Sequence, residues 1–253
     1  MRNGVLHSGM DKVKAWHGLK PCHPLRIFVN PCMQNPIPHI IHNNTFWVSP
    51  DRCLFWEDQN ILILADIHLG KTGHFRQAGI PVPEGVNKAD LQRLIAQFFF
   101  FKADRVIIVG DFTHSTVNKE LELFKKWRKD FPLFRFDLVK GNHDILEDHW
   151  YLESNITIHK KELIIGDFCF RHETKTTDPF DKSAAAFVFS GHVHPGLRIS
   201  GRGKQSLRLP CFYFTPGHCM LPAFSKFTGT YKVEPKAGEI AYAITGAELI
   251  KKP

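Results

Sequence analysis

Ile61-Leu62-Ile63-Leu64-Ala65-Asp66-Ile67-His68 sets five apolar residues directly before an acid and an imidazole. A fully apolar run this short reads as a strand buried on both faces. The same pattern recurs along the chain. Arg105–Val109 ends in Gly110-Asp111, Phe134–Val139 in Gly141-Asn142-His143-Asp144, and Leu163–Phe170 in Arg171-His172-Glu173. Ala186–Phe189 leads into Gly191-His192-Val193-His194. Helical periodicity lies between the early runs. Asn87 is placed to cap a helix with Leu91, Leu94, Ile95 and Phe98 on one face. Asn118 precedes a second, with Leu121, Phe124, Trp127 and Phe131 inward and Lys125, Lys126 and Lys129 outward. Upstream, Thr45–Val48 and Cys53–Trp56 flank a Ser-Pro-Asp-Arg turn and form a hairpin. Downstream, Cys211–Thr215, Thr230–Val233 and Glu239–Ile244 read as further strands. Strands and helices alternate early and strands dominate late. That order predicts an α/β (α+β) domain, largely parallel at first and closed by antiparallel strands.

At 253 residues with 22 Phe and 43% apolar content, the chain suits one domain with a large core. No apolar run approaches the roughly 18 residues of a membrane span, and the N-terminus has no apolar signal core. Cysteines 22, 32, 53, 169, 211 and 219 form no C-x-x-C pair, so they read as free thiols of a reducing compartment, the cytoplasm. Residues 1–32 show no period and read as a disordered tail or an over-extended start, leaving 33–253 as the domain. That segment holds five Lys/Arg against one acid, half of the net +8. A second basic run extends from Gly196 to Lys236: Arg198, Arg202, Lys204, Arg208, Lys226, Lys232 and Lys236 against Glu234. It begins directly after His194, which makes it a candidate path for a phosphate backbone.

In open α/β sheets, ligands bind where loops converge at the carboxyl ends of the strands. Asp66, His68, Asp111, Asn142, His143, Asp144, His172, His192 and His194 can therefore meet at one rim. Singly, each motif is an ordinary turn. Their joint occurrence, each after an apolar run, points to a metal centre. Mixed nitrogen and oxygen donors suit Mn, Fe or Zn better than Ca or Mg.

The ordered blocks D-x-H, G-D, G-N-H-D, a lone His and G-H-x-H resemble those of the calcineurin-like metallophosphoesterases. The resemblance implies two mixed β-sheets packed face to face and flanked by helices, a four-layer sandwich. It also implies two divalent metal ions, manganese first. One ion would take Asp66, His68, Asp111 and His194; the other would take Asp111, Asn142, His172 and His192, with Asp111 shared. Phosphate-ester hydrolysis would proceed by attack of a metal-bridged hydroxide. His143 would protonate the leaving oxygen, with Asp144 orienting its imidazole.

His68-Leu69-Gly70-Lys71, Phe75-Arg76-Gln77-Ala78-Gly79 and Pro81-Val82-Pro83-Glu84-Gly85 are similar to the DNA-ligase-associated members of that family. So are Leu209-Pro210-Cys211-Phe212, Leu221-Pro222-Ala223-Phe224 and Phe227-Thr228-Gly229. This finer resemblance implies a nucleic-acid role beside an ATP-dependent DNA ligase and a helicase. Lys71 and Arg76 follow the first metal motif on a loop able to reach an anionic substrate, Arg76 with a bidentate fork. His114 and Arg198 are further candidate substrate contacts.

Three functions compete on this sequence. A phosphodiesterase of nucleic acid or nucleotides leads. A phosphomonoesterase or pyrophosphatase of small metabolites shares the fold, and a metal-binding scaffold in a repair assembly is the non-enzymatic alternative. The complete ligand set and the presence of His143 favour an enzyme.

Overall fold

Parallel strands must be joined by crossovers, and this chain makes its crossovers from helices. The computed structural model describes residues 35–77, 79, 82, 85–114, 118–173, 185–201 and 205–253. Residues 1–32 lie outside that range, as do Arg202 and Lys204. The first sheet contains β1 (Ile37–Ile41), β2 (Asn44–Ser49), β3 (Cys53–Trp56), β4 (Ile61–Leu64), β5 (Arg105–Val109), β6 (Arg135–Val139) and β7 (Ile156–His159). They lie side by side in chain order. β1 to β4 pair antiparallel through tight turns, and β4 to β7 pair parallel. Helices α1 (Lys71–Gln77), α2 (Val86–Phe101), α3 (Lys119–Lys129) and α4 (Asp148–Glu153) connect the parallel strands.

The second sheet contains β8 (Glu162–Ile165), β9 (Phe168–Arg171), β10 (Phe187–Ser190), β11 (Pro195–Ser200), β12 (Ser206–Thr215), β13 (His218–Met220), β14 (Tyr231–Val233), β15 (Ile240–Ile244) and β16 (Leu249–Lys252). β10 lies parallel to both β9 and β13, while β12 runs antiparallel to β11, β13 and β15. The mixed α/β architecture with two mixed sheets is the one the sequence predicts. Among the described residues, all four helices join strands of the first sheet.

Alternation along the strands divides the core. Leu62, Leu64, Val106, Ile108, Phe136 and Leu138 face Leu94, Phe98, Leu121, Phe124 and Trp150 of the helices. Ile61, Ile63, Ile107, Val109 and Val139 face the second sheet, against Phe168, Phe170, Phe189, Phe212 and Phe214. The central strands are thus apolar at nearly every position because both faces are covered. A third cluster, Leu197, Cys211, Tyr213, Val233, Ala241 and Ala243, belongs to the second sheet's far face.

Two local expectations change. Leu163–Phe170 is a hairpin, β8 and β9, because Gly166 turns the chain with φ 56° and Ile165 then pairs with Phe168. Asn87 does not cap α2. Gly85 holds that position with φ 85°, and the Asn87 amide instead donates to Thr72 Oγ1 and Glu120 Oε2. Asn118 does cap α3, accepting from the N–H groups of Glu120 and Leu121. β1, β7, β11, β13 and β16 lie outside the predicted strands. β1 carries Pro38 at the sheet edge, the place where a strand tolerates proline.

One buried carboxylate ties three parallel strands. Asp137 on β6 accepts Arg105 Nε from β5 at 2.8 Å and hydrogen-bonds His159 Nε2 of β7 at 2.8 Å. Burial alone would raise its carboxyl, but these hydrogen bonds outweigh burial and hold it below the usual range. A depressed carboxylate stabilises the fold above its unfolded value of about 4, and that stability is lost as pH falls through the folded value. Melting of the metal-free protein from pH 7 to 2.5 should therefore fall less steeply below pH 4 in Asp137→Asn than in wild type. Parallel profiles would contradict this.

Candidate metal centre

Five strands deliver polar side chains to the rim where β4, β5 and β6 of one sheet meet β9 and β10 of the other. The turns that follow them are backbone-constrained. Asp66, His68, Asp111, His192 and His194 all have positive φ, between 42° and 67°. They are five of the eleven such non-glycine residues described. Each left-handed residue costs roughly 1 kcal/mol or more, and clusters of them occur where the surroundings impose them for function. Here backbone hydrogen bonds impose them. Asp66 N donates to Gly110 O at 3.2 Å, His68 N to Asp111 O at 2.9 Å, and Phe224 N to Ala65 O at 2.7 Å.

The side chains converge as two sets of donors. In the first, His68 Nε2 lies 3.4 Å from His194 Nε2, which lies 3.5 Å from Asp66 Oδ2. In the second, His172 Nε2 lies 3.4 Å from Asp111 Oδ1, 3.1 Å from His192 Nδ1 and 2.9 Å from Asn142 Oδ1. The sets interlock. His192 N donates to Asp66 Oδ2 at 2.9 Å, and His172 Nδ1 stands 3.6 Å from Asp66 Oδ1. Ligands bonded at about 2.0–2.2 Å to one transition-metal ion are themselves about 3–3.5 Å apart, which is the spacing seen in both sets.

The electrostatics demand a cation. Asp66 is fully buried, and burial first, then the Asp111 charge, drives its carboxyl well above the usual range. Burial pulls His68 down to about 2 and His194 to about 4, and it lowers His172 also. These imidazoles are neutral at pH 7 and offer lone pairs, the form a metal binds. Asp66 Oδ1 is buried without a hydrogen-bond partner. An unpartnered buried carboxylate oxygen costs several kcal/mol, and a divalent ion beside it removes that cost. The residues fit the metals.

Two glycines are fixed by close approach. A Cβ on Gly141 would sit 2.2 Å from Asp111 Oδ1, and one on Gly110, at φ 80°, would sit 1.8 Å from His172 Nδ1.

The remaining expected residues divide. His143 is half-buried at the rim, its N–H donating to Asp111 Oδ1 at 2.9 Å. The His114 ring packs on it at 4.4 Å and lies 5.3 Å from His68. Burial, then His143 and Lys71, takes His114 down to about 4. Asp144 does not reach the His143 imidazole. Its buried carboxylate accepts from the N–H groups of Phe112, Thr113 and Gly141 and from the Thr113 hydroxyl, so it clamps the β5 and β6 turns together. Lys71 and Arg76 sit on helix α1 rather than on a loop. Burial lowers the Lys71 ammonium against the opposing pull of the Asp111 and Asp66 carboxylates, and Lys71 N donates to His68 O at 3.1 Å. Arg76 is turned away, bonded to Glu120 Oε1 at 2.6 Å. Arg198 is exposed on β11 opposite Arg208, in a cleft of about 460 Å³ shared with Lys232, Glu234 and Lys252 that contains no residue of either donor set. Sequence reasoning gave no structural role to Glu120, Thr113 or the Phe224–Ser225 segment, of which Phe224 entered only through the family resemblance. All three act through contacts to residues distant in the chain, which no local pattern records.

Interlocked His and carboxylate donors at the rim of a two-sheet α/β sandwich define a metal-dependent phosphoric ester hydrolase. The family model for calcineurin-like phosphoesterases matches residues 59–180, and the chain carries a calcineurin-like phosphoesterase domain. Among solved structures, it is similar to Pseudomonas putida nuclease MPE, with 28% identity, 83% of this chain and 97% of that chain covered, and a TM-score of 0.69. Entamoeba histolytica Vps29, solved with zinc, is 13% identical with 76% of this chain and 96% of that chain covered, and a TM-score of 0.33, a likeness too slight to use. No curated protein matches the chain.

Filling the space between the turns should cost more than changing the outer surface. Gly141→Ala should lower metal content and phosphoesterase activity by about 100-fold or more, whereas Gly217→Ala, where an added Cβ meets nothing, should be neutral. Equal metal content in both variants by elemental analysis would contradict this.

Proposed function

We propose that this protein is a two-metal phosphodiesterase acting on nucleic acid or nucleotides. One ion is held by Asp66, His68, Asp111 and His194, and the other by Asp111, Asn142, His172 and His192, with Asp111 shared. The observation that carries this reading is the meeting of two donor sets within hydrogen-bond range of each other. Two ions this close supply Lewis acidity toward the phosphoryl oxygens and a nucleophile at neutral pH. Manganese is favoured by the family resemblance, and Fe or Zn fit the same donors. With two carboxylates against two divalent ions, the centre retains about two positive charges and attracts an anion.

His143 is the residue we assign as general acid. It is half-buried, its ring lies 5.9 Å from that of His68, and its backbone is fixed by Asp111. His114 backs its ring and Lys71 adds a cation on the substrate side. The nuclease at 28% identity favours a nucleic-acid substrate over a small monoester or pyrophosphate. The motif stretches around Phe75–Gly79 and Leu221–Gly229 favour work in DNA repair beside a ligase and a helicase. Cysteines 53, 211 and 219 are buried free thiols, which fits a reducing cytoplasm. Residues 33–253 are taken as the single catalytic domain.

Manganese-loaded protein should hydrolyse single- or double-stranded polynucleotide as well as a chromogenic diester. His143→Ala should keep both metals and lose on the order of 100-fold on polynucleotide, with a smaller loss on a 4-nitrophenyl diester, whose leaving group needs no proton. Equal losses on both substrates would remove His143 as the acid. Hydrolysis of monoesters alone would favour the metabolite reading.

A further inference from the structure

Helix α1 is fastened on one side and open on the other. Thr72 Oγ1, Gly73 N and Arg76 Nη2 all donate to the Glu120 carboxylate, which also receives the Asn87 amide. Asn118 Nδ2 holds the entry to the helix through Gly70 O at 3.1 Å. These bonds occupy the face formed by 72, 73 and 76 and stop the helix from rolling. Lys71 and His74, three residues apart, share the opposite face. Phe75, the next residue along, packs on Phe227, with ring centroids 5.9 Å apart.

That open face looks toward the metal centre. Lys71 N donates to His68 O at 3.1 Å, which sets Lys71 one turn from the first donor set, and the Asp111 and Asp66 carboxylates act against burial on its ammonium. The exposed His74 ring stands 6.3 Å from His114, whose own ring packs at 4.4 Å on His143. A row of imidazoles therefore leads from His143, at the scissile position, outward to His74 and solvent. No donor set uses Lys71 or His74, yet both are presented on a helix fixed by three hydrogen bonds to one carboxylate. An ammonium and a ring N–H on a rigid support suit phosphate oxygens.

We propose that Lys71 and His74 form a subsite for a second, non-scissile phosphate, the one next to the cleaved bond along a polynucleotide strand, with Glu120 as the positioning residue. This rests on the nucleic-acid reading above and deepens it. A small diester or a monoester has no second phosphate to place there, so the subsite selects for polymer.

The test compares kcat/KM of the manganese-loaded full chain on a thymidine dinucleotide, with one phosphodiester, and on the trinucleotide, with two. A third substrate is the trinucleotide with its flanking linkage replaced by a neutral methylphosphonate. Wild type should prefer the all-phosphate trinucleotide over the other two by about tenfold or more. His74→Ala and Lys71→Ala should each shrink that ratio several-fold, and neutralising the flanking linkage should then cost little more. A wild-type preference that both variants retain in full would overturn the subsite and leave the nucleic-acid reading standing. Hydrolysis of a chromogenic diester with no turnover of any nucleotide by wild type would overturn both.

Discussion

Two carboxylates, Asp66 and Asp111, are buried at the same rim with neutral imidazoles around them, and that arrangement is unstable without cations. Burial and the neighbouring charge oppose ionisation of Asp66, and the hydrogen bond from His192 N answers only part of that. No lysine or arginine salt bridge satisfies either group among the described residues. Divalent ions are the natural counter-charge, and the rest of the rim is arranged around their place. The strained turns, the two close-packed glycines and the Asp144 clamp all serve to hold donor atoms at ligand spacing.

The sandwich explains why this can be done from distant parts of the chain. β4, β5 and β6 carry Asp66, Asp111 and Asn142 to one edge, and β9 and β10 bring His172, His192 and His194 to the same edge from the facing sheet. β4, β5 and β6 are anchored on both faces by apolar layers, so the turns at their ends have a stiff base. Left-handed residues at the turns are then tolerated because large core burial offsets them. The Phe224–Ser225 segment adds a second tether. It bonds the carbonyls of Ala65 and Asp66 while Arg52 and Arg93 hold its own carbonyls from the first sheet side.

Much of this was legible in the sequence for a physical reason. Buried parallel strands are written as unbroken apolar runs, and the residues just after them are polar only where the rim needs them, so Asp66, Asp111 and Asn142 stand out. His192 and His194 stand out by their spacing. What was not legible depends on contacts across the fold. Arg76 looked like a phosphate fork, but Glu120, 44 residues later, takes its guanidinium. Asp144 looked like the partner of its neighbour His143, yet its carboxylate turns inward to Thr113. Asn87 had the composition of a helix cap and is used instead to hold α1. Short strands such as β13 and β16 carry too few residues to show a period.

The shared carboxylate is the claim on which the account turns, and metal stoichiometry measures it directly. Calorimetric titration of chelator-treated protein with manganese should give two ions per chain for wild type. Asp111→Ala should bind fewer than one under the same conditions, because both ions lose a ligand and their common bridge. A full equivalent retained by Asp111→Ala, or a single ion bound by wild type, would contradict the shared two-metal centre.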